Sequence, residues 1–155
     1  MSLSVHDASV PVVIKALTAL SGVLEKGEAH AKAKGTDEAN YVTMRLVPDM
    51  LPLSAQVRIA CDIPRRGLQR MAGQEPAPME DKEASFADLK ERIAATIAVL
   101  NGITPESMEG SETRTITLPT PRGELVMQGR DFLFSFVLNK LAKSFGFALS
   151  LIILC

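Results

Sequence analysis

The chain has 155 residues, 46% of them apolar and 23% charged, which suits one domain (residues 1–155) able to bury a core without metal or disulfide. Its net charge of −1, from 17 basic and 18 acidic residues, excludes a nucleic-acid binder that relies on cationic contacts to phosphate. Ten glycines and nine prolines exclude collagen and disorder, and two cysteines, Cys61 and Cys155, exclude a secreted disulfide framework.

The opening Met1-Ser2-Leu3-Ser4 has neither the basic nor the apolar region of a signal peptide, so a cytoplasmic protein is expected. Residues 8–33 are predicted as a long amphipathic helix, with Val10, Val13, Ile14, Leu17, Leu20 and Leu24 on one face. Pro11 suits only the first turn, with Ser9 or Asp7 as the cap, and the helix stops near Gly35. Thr36-Asp37-Glu38 starts a short helical turn. A second long helix runs from about Pro52 to Met71, with the stripe Leu53, Val57, Ala60, Cys61, Leu68 and Met71. Gly67 is its position of close approach, Pro64 a kink, and Asp49 is read as a cap for this helix.

Residues 74–84, with Pro76, Pro78 and the acids Glu75, Glu80, Asp81 and Glu83, read as an exposed connection. The next helix is well marked: Ser85 caps it, Asp88 stands at the third position, Phe86, Leu89, Ile93, Ile97 and Leu100 form its stripe, and Gly102 closes it. Thr115–Leu118 and Glu124–Met127 alternate on either side of Pro119-Thr120-Pro121-Arg122-Gly123, which predicts a short β-hairpin with a five-residue loop. A last helix begins after Gly129, with Phe134, Leu138, Leu141, Phe145, Leu149 and Ile152 as its expected buried stripe and apolar residues on its other faces too. One residue from the middle of each long helix is expected in the core: Leu17, Val57, Ile93 and Phe134. No repeat appears at solenoid periods, and the fold class is all-α with a small hairpin between the third and fourth long helices.

Sites of chemistry are few. His6 and His30 lie 24 residues apart, about 36 Å along a helix, too far to share a metal ion. Each is read as an exposed histidine. No Glu-x-x-His occurs, and residues 132–155 contain no Asp, Glu or His, so the last helix has none of the usual first ligands of a di-iron or zinc bundle. No metal site and no cofactor are expected, and no catalytic residue can be assigned. Cys61, on the apolar stripe, reads as a small hydrophobe rather than a reactive thiol. Asp62 with Arg58, Arg65 and Arg66 reads as a solvated helix face, with an anion-binding groove as the alternative. No Gly-rich phosphate loop, Gly-x-Ser-x-Gly or Cys-x-x-Cys is present.

Three stretches carry a family resemblance: His6-Asp7-Ala8-Ser9-Val10-Pro11 running into Leu24-Glu25-Lys26-Gly27-Glu28-Ala29-His30-Ala31; Arg45-Leu46-Val47-Pro48-Asp49-Met50 with Gln56-Val57-Arg58-Ile59-Ala60-Cys61-Asp62; and Gly129-Arg130-Asp131-Phe132-Leu133. Over about residues 1–138 the chain resembles a family of uncharacterised proteins grouped with the DinB/YfiT-like four-helix bundles. The resemblance implies an up-and-down bundle, frequent homodimers and, in many members, a metal held by three histidines. One of those histidines comes from the second long helix, where Gln56 stands here, and two from the last helix. Where similar proteins carry an aromatic-His-x-x-x-Ala-Tyr pattern, this chain has Asn139-Lys140-Leu141-Ala142-Lys143, and its tail after Leu138 diverges.

The function expected is that of a DinB-like helical protein without a working metal site, dimerising through Phe132 to Leu154; its small-molecule ligand is unassigned. One alternative is a metal-dependent hydrolase or thiol transferase with unorthodox ligands. Another is a tail-anchored membrane protein, since 17 of the 24 residues from Phe132 to Cys155 are apolar and five of the six phenylalanines lie there. Lys140 and Lys143 interrupt that run and disfavour the membrane.

Overall fold

Seven helices and strands and a short 3-10 turn (Glu106–Met108) order the chain in a computed structural model that describes residues 3–121 and 123–153; Met1, Ser2, Arg122, Leu154 and Cys155 lie outside the described residues. Helix α1 (Val5–Lys34) begins three residues earlier than its hydrophobic pattern suggests. Ser4, not Ser9 or Asp7, is its cap, with its hydroxyl oxygen accepting the Asp7 amide at 3.0 Å. Ser9 is buried instead and donates its hydroxyl to the Val5 carbonyl at 2.6 Å. Pro11 consequently falls beyond the first turn, inside the helix. Gly35 ends α1 at φ 64°, a left-handed conformation that glycine adopts without a Cβ penalty.

The short α2 (Glu38–Val42) is capped by Asp37. Helix α3 (Leu53–Met71) has no side-chain cap: Asp49 is exposed, and the Leu53 amide donates to the Met44 carbonyl at 2.9 Å. A backbone carbonyl thus takes the orphan donor that an Asp49 cap would have taken. Helix α4 (Phe86–Asn101) carries the full reciprocal capping box between Ser85 and Asp88. Strands β1 (Thr115–Thr120) and β2 (Gly123–Gln128) pair antiparallel, with Pro119 opposite Glu124 and Thr120 opposite Gly123. Pairing therefore takes in Pro119, Thr120 and Gly123, which the sequence placed in a five-residue loop; Arg122 of that loop lies outside the described residues. Gly123, at φ 116°, supplies a conformation closed to other residues and lets pairing continue to the loop's edge.

Helix α5 (Gly129–Ile153) opens with one α turn, passes through a π-helical segment from Phe132 to Leu138, and is α-helical from Asn139. Its buried residues are Gly129, Phe132, Leu133, Val137, Leu141, Ser144, Ala148 and Leu151. Of the expected stripe only Leu141 is buried; Leu138, Phe145, Leu149 and Ile152 are half-buried and Phe134 is 53% exposed. The physical reason is the π-helical segment: its wider turn shifts the register, so that Phe132, Leu133 and Val137 face the core in place of Phe134 and Leu138. The other mid-helix residues, Leu17, Val57 and Ile93, are buried as their periodicity predicts.

Contacts at the helix ends fix their directions. The His6 ring bonds to the Ile103 carbonyl at 3.1 Å, while Glu28 pairs with Lys90 at 2.6 Å, so α1 and α4 run antiparallel. Tyr41 packs on Phe86 at 6.2 Å, and Leu53 follows from Met44, so α3 and α4 both begin where α1 ends. At the other end Arg114 donates to the Met71 carbonyl and Gly129 to the Arg114 carbonyl, so α3 ends where α5 begins. Gly67 of α3 faces Val137, and Gly27 of α1 faces Ile152. The order is up, down, down, up, not the simple up-and-down expected. The 14 residues between α3 and α4 make this order feasible: extended, they span about 46 Å, well beyond the roughly 28 Å of α3. They run back along α3 as a crossover.

The Glu28 carboxylate also accepts Lys32 at 2.5 Å, tying α1 to itself and to α4. Those two lysines lower its pKa from the usual 4.5 to about 2. A carboxyl with a depressed folded-state pKa stabilises the fold fully above its unfolded value and loses that contribution as pH falls through the folded one. The urea midpoint should therefore begin to drop below pH about 4.5 and keep dropping toward about 2, and Glu28→Gln should remove part of that dependence.

Candidate functional site

The charged patch of α3 is not a solvated face. Arg58, Asp62 and Arg65 point toward the crossover and α4, and the guanidinium that organises them is Arg92, whose side chain is only 2% exposed. Arg92 donates to Glu83 at 2.5 Å, to Asp62 at 2.8 Å and to the Glu80 carbonyl at 3.0 Å, and lies 3.1 Å from Asp81. Arg58 donates to Glu83 at 2.6 Å. Arg65, 3% exposed, donates to the Ala77 carbonyl at 2.9 Å and pairs with Asp62 at 3.5 Å. The stretch 74–84 is mostly exposed, as expected, yet it is pinned along α3 by hydrogen bonds from three arginines to its carbonyls and carboxylates.

Three guanidiniums (Arg58, Arg65, Arg92) face three carboxylates (Asp62, Asp81, Glu83), so the network is neutral as a whole. Burial alone would raise the Glu83 carboxyl, but hydrogen bonds from Arg92 and Arg58 outweigh it and hold the pKa below the usual value. Beside the network Cys61 is fully buried, and desolvation pushes its thiol up to about 12 despite the nearby Thr96 hydroxyl. A thiol so raised is protonated and inert at neutral pH, in line with the hydrophobic reading.

Arg66 stands apart from this cluster. It is exposed on α3, one turn before Arg70, and neither makes an ion pair among the described residues. Burial, then the neighbouring Arg66 charge, lowers the Arg70 pKa, with Glu75 opposing in part. Both arginines line a cavity of about 190 Å³ with Asp62, Ile63, Leu118, Pro119, Phe132 and Phe136. Phe132 and Phe136 stack at 5.4 Å with their planes 16° apart. The groove lies between α3, β1 and the start of α5. The anion-binding alternative weighed for the α3 patch thus retains one of its arginines, Arg66, and gains Arg70.

Neither histidine is free in the way the sequence suggested. The His6 side chain is 15% exposed and held by the Ile103 carbonyl, while His30 is half-buried and meets Tyr41 edge-on at 6.4 Å. No group of three His, Cys, Asp or Glu side chains that could hold a metal ion occurs among the described residues. The superfamily's histidine set does not fit this chain. Gln56 is buried with its amide nitrogen 3.5 Å from the Leu51 carbonyl, and α5 presents Asn139, Lys140, Ala142 and Lys143 to solvent. None of these side chains is an imidazole or a carboxylate, the groups that usually hold a divalent ion.

Sequence reasoning missed Arg92 and Glu83. Arg92 occupies a buried position between Leu89, Ile93 and Thr96 on the apolar face of α4. A cation inside a hydrophobic stripe is the signal that could have found it, because a charge so placed must be paired.

The chain matches the family described as Domain of unknown function (DUF1993) over residues 5–141. No curated protein matches it. Among solved structures, that of a DinB family member protein from Shewanella denitrificans is similar, with 28% sequence identity, a TM-score of 0.89, and coverage of 96% of this chain and 84% of that one. The chain belongs to the DUF1993 family, a DinB-like family of unknown function.

Proposed function

We propose that this protein is a DinB-type four-helix bundle that acts without a resident metal and assembles as a homodimer through the flank of α5. The observation that carries the reading is the apolar surface left on that helix. Phe134, Phe147 and Ile153 are exposed, and Leu138, Phe145 and Leu149 are half-buried between them. Positions 134, 138, 145 and 149 recur at helical spacing, so they form one continuous strip rather than scattered residues. Contiguous apolar surface beyond a few hundred Å² is rarely left open to water on a monomer. The absence of acidic and histidine side chains after Asp131 supports the metal-free part of the reading.

By length and composition α1 and α5 could each cross a bilayer, each holding an 18-residue window with mean hydropathy 1.5. Lys140 and Lys143, both exposed mid-helix, make burial of α5 in lipid costly by about 2.5–3.5 kcal/mol each. A protein partner leaves those ammonium groups in water. Phe134→Asp combined with Leu149→Asp should convert the dimer to a monomer in light scattering with an unchanged helical circular dichroism spectrum. Insolubility of the unmodified chain without detergent would favour the membrane instead.

A further inference from the structure

We propose that the groove between α3, β1 and the start of α5 binds a small organic oxyanion, its carboxylate or phosphate held by Arg66 and Arg70 and its flat apolar body lying on Phe136. The charge argument comes first. Every other arginine of α3 that faces the crossover is matched by a carboxylate, whereas Arg66 and Arg70 have no ion pair among the described residues and repel one another across one helical turn. Asp62 also lines the groove, but its two oxygens are already engaged by Arg65 and Arg92. An anion set between the two guanidiniums relieves their repulsion and accepts charge-assisted hydrogen bonds.

The shape argument is independent. The rest of the lining is largely apolar: Phe136, stacked on the buried Phe132 ring, with Ile63 from α3 and Leu118 and Pro119 from β1. A half-buried ring held flat by a second ring is a platform for a planar group. A cavity of about 190 Å³ is below the usual range for drug-sized ligands, which sets the size at about one ring or a short acyl chain. The groove uses the Phe132 and Phe136 side of α5, so it does not require the Phe134 flank to be free.

Calorimetric titration of the full chain with phenyl phosphate, benzoate, inorganic phosphate and benzyl alcohol tests both halves. Saturable binding of phenyl phosphate or benzoate is expected, at least about tenfold tighter than inorganic phosphate and benzyl alcohol. Whichever of the two aryl anions binds identifies the head group. Arg66→Gln with Arg70→Gln should weaken it by at least about tenfold, and Phe136→Leu by a smaller factor that leaves inorganic phosphate unaffected. Arg66 is exposed and Arg70 half-buried, and neither has an ion pair among the described residues, so the thermal midpoint of their double variant should not fall, which separates lost binding from lost folding. No saturable binding of either aryl anion up to about 10 mM, equal binding of inorganic phosphate, or unchanged binding by the folded arginine variant would overturn the proposal.

Discussion

Replacing Arg92 with alanine is expected to cost about 3–5 kcal/mol of folding stability, measured by urea denaturation with linear extrapolation. The substitution removes the donor that Glu83 and Asp62 share and leaves the Glu83 carboxylate, 6% exposed, without its shortest partner. It also frees the Glu80 carbonyl, so the crossover loses its hold at two places. The penalty comes from the stranded charge rather than from the pair's own worth, because burying an ion pair is itself costly. A double-mutant cycle with Glu83→Gln should therefore show strong coupling, the second change costing far less in the Arg92→Ala background than alone. A loss below about 1 kcal/mol for Arg92→Ala would mean that the network behaves as exposed surface charge.

Gly129→Ala is expected to destabilise the fold by more than about 3 kcal/mol, near the upper end for overpacking. A Cβ at Gly129 would run into the Ser111 carbonyl, a backbone group with little room to retreat. The Gly129 amide donates to Arg114 at 2.8 Å and the Arg130 amide to Glu112 at 2.9 Å, so moving either strand of this junction breaks two further bonds. Gly22→Ala provides the contrast. Nothing lies within 4 Å of a Cβ there, and Gly22 sits inside α1. That change should be stabilising by about 0.4–1 kcal/mol. Equal effects at the two positions would show that backbone entropy, not close approach, governs both.

Local chemistry was legible where a single side chain decides it. Ser85 and Asp88 formed their reciprocal cap as read, Gly67 proved to be a close approach, and the hairpin appeared where alternation predicted. A Cβ on Gly67 would come within 2.6 Å of Val137, which is why that position is bare. What the sequence did not yield depends on partners distant in the chain. The loop of the hairpin shrank because cross-strand pairing took in Pro119 and Thr120, despite their turn propensity. The face of α5 was misjudged because its stripe was spaced as a regular α-helix throughout, whereas Phe132–Leu138 is π-helical and shifts the register. The α3 arginines looked solvated because their carboxylate partners come from a connection whose path is set by tertiary structure. Four acids in that connection opposite a run of arginines were the available clue.

Static light scattering of the untagged chain in detergent-free buffer at micromolar concentration tests the central claim most directly. Twice the 16.7 kDa chain mass is the predicted result. A stable, soluble particle at 16.7 kDa would contradict it, since the strip from Phe134 to Leu149 would then be open to water without a partner.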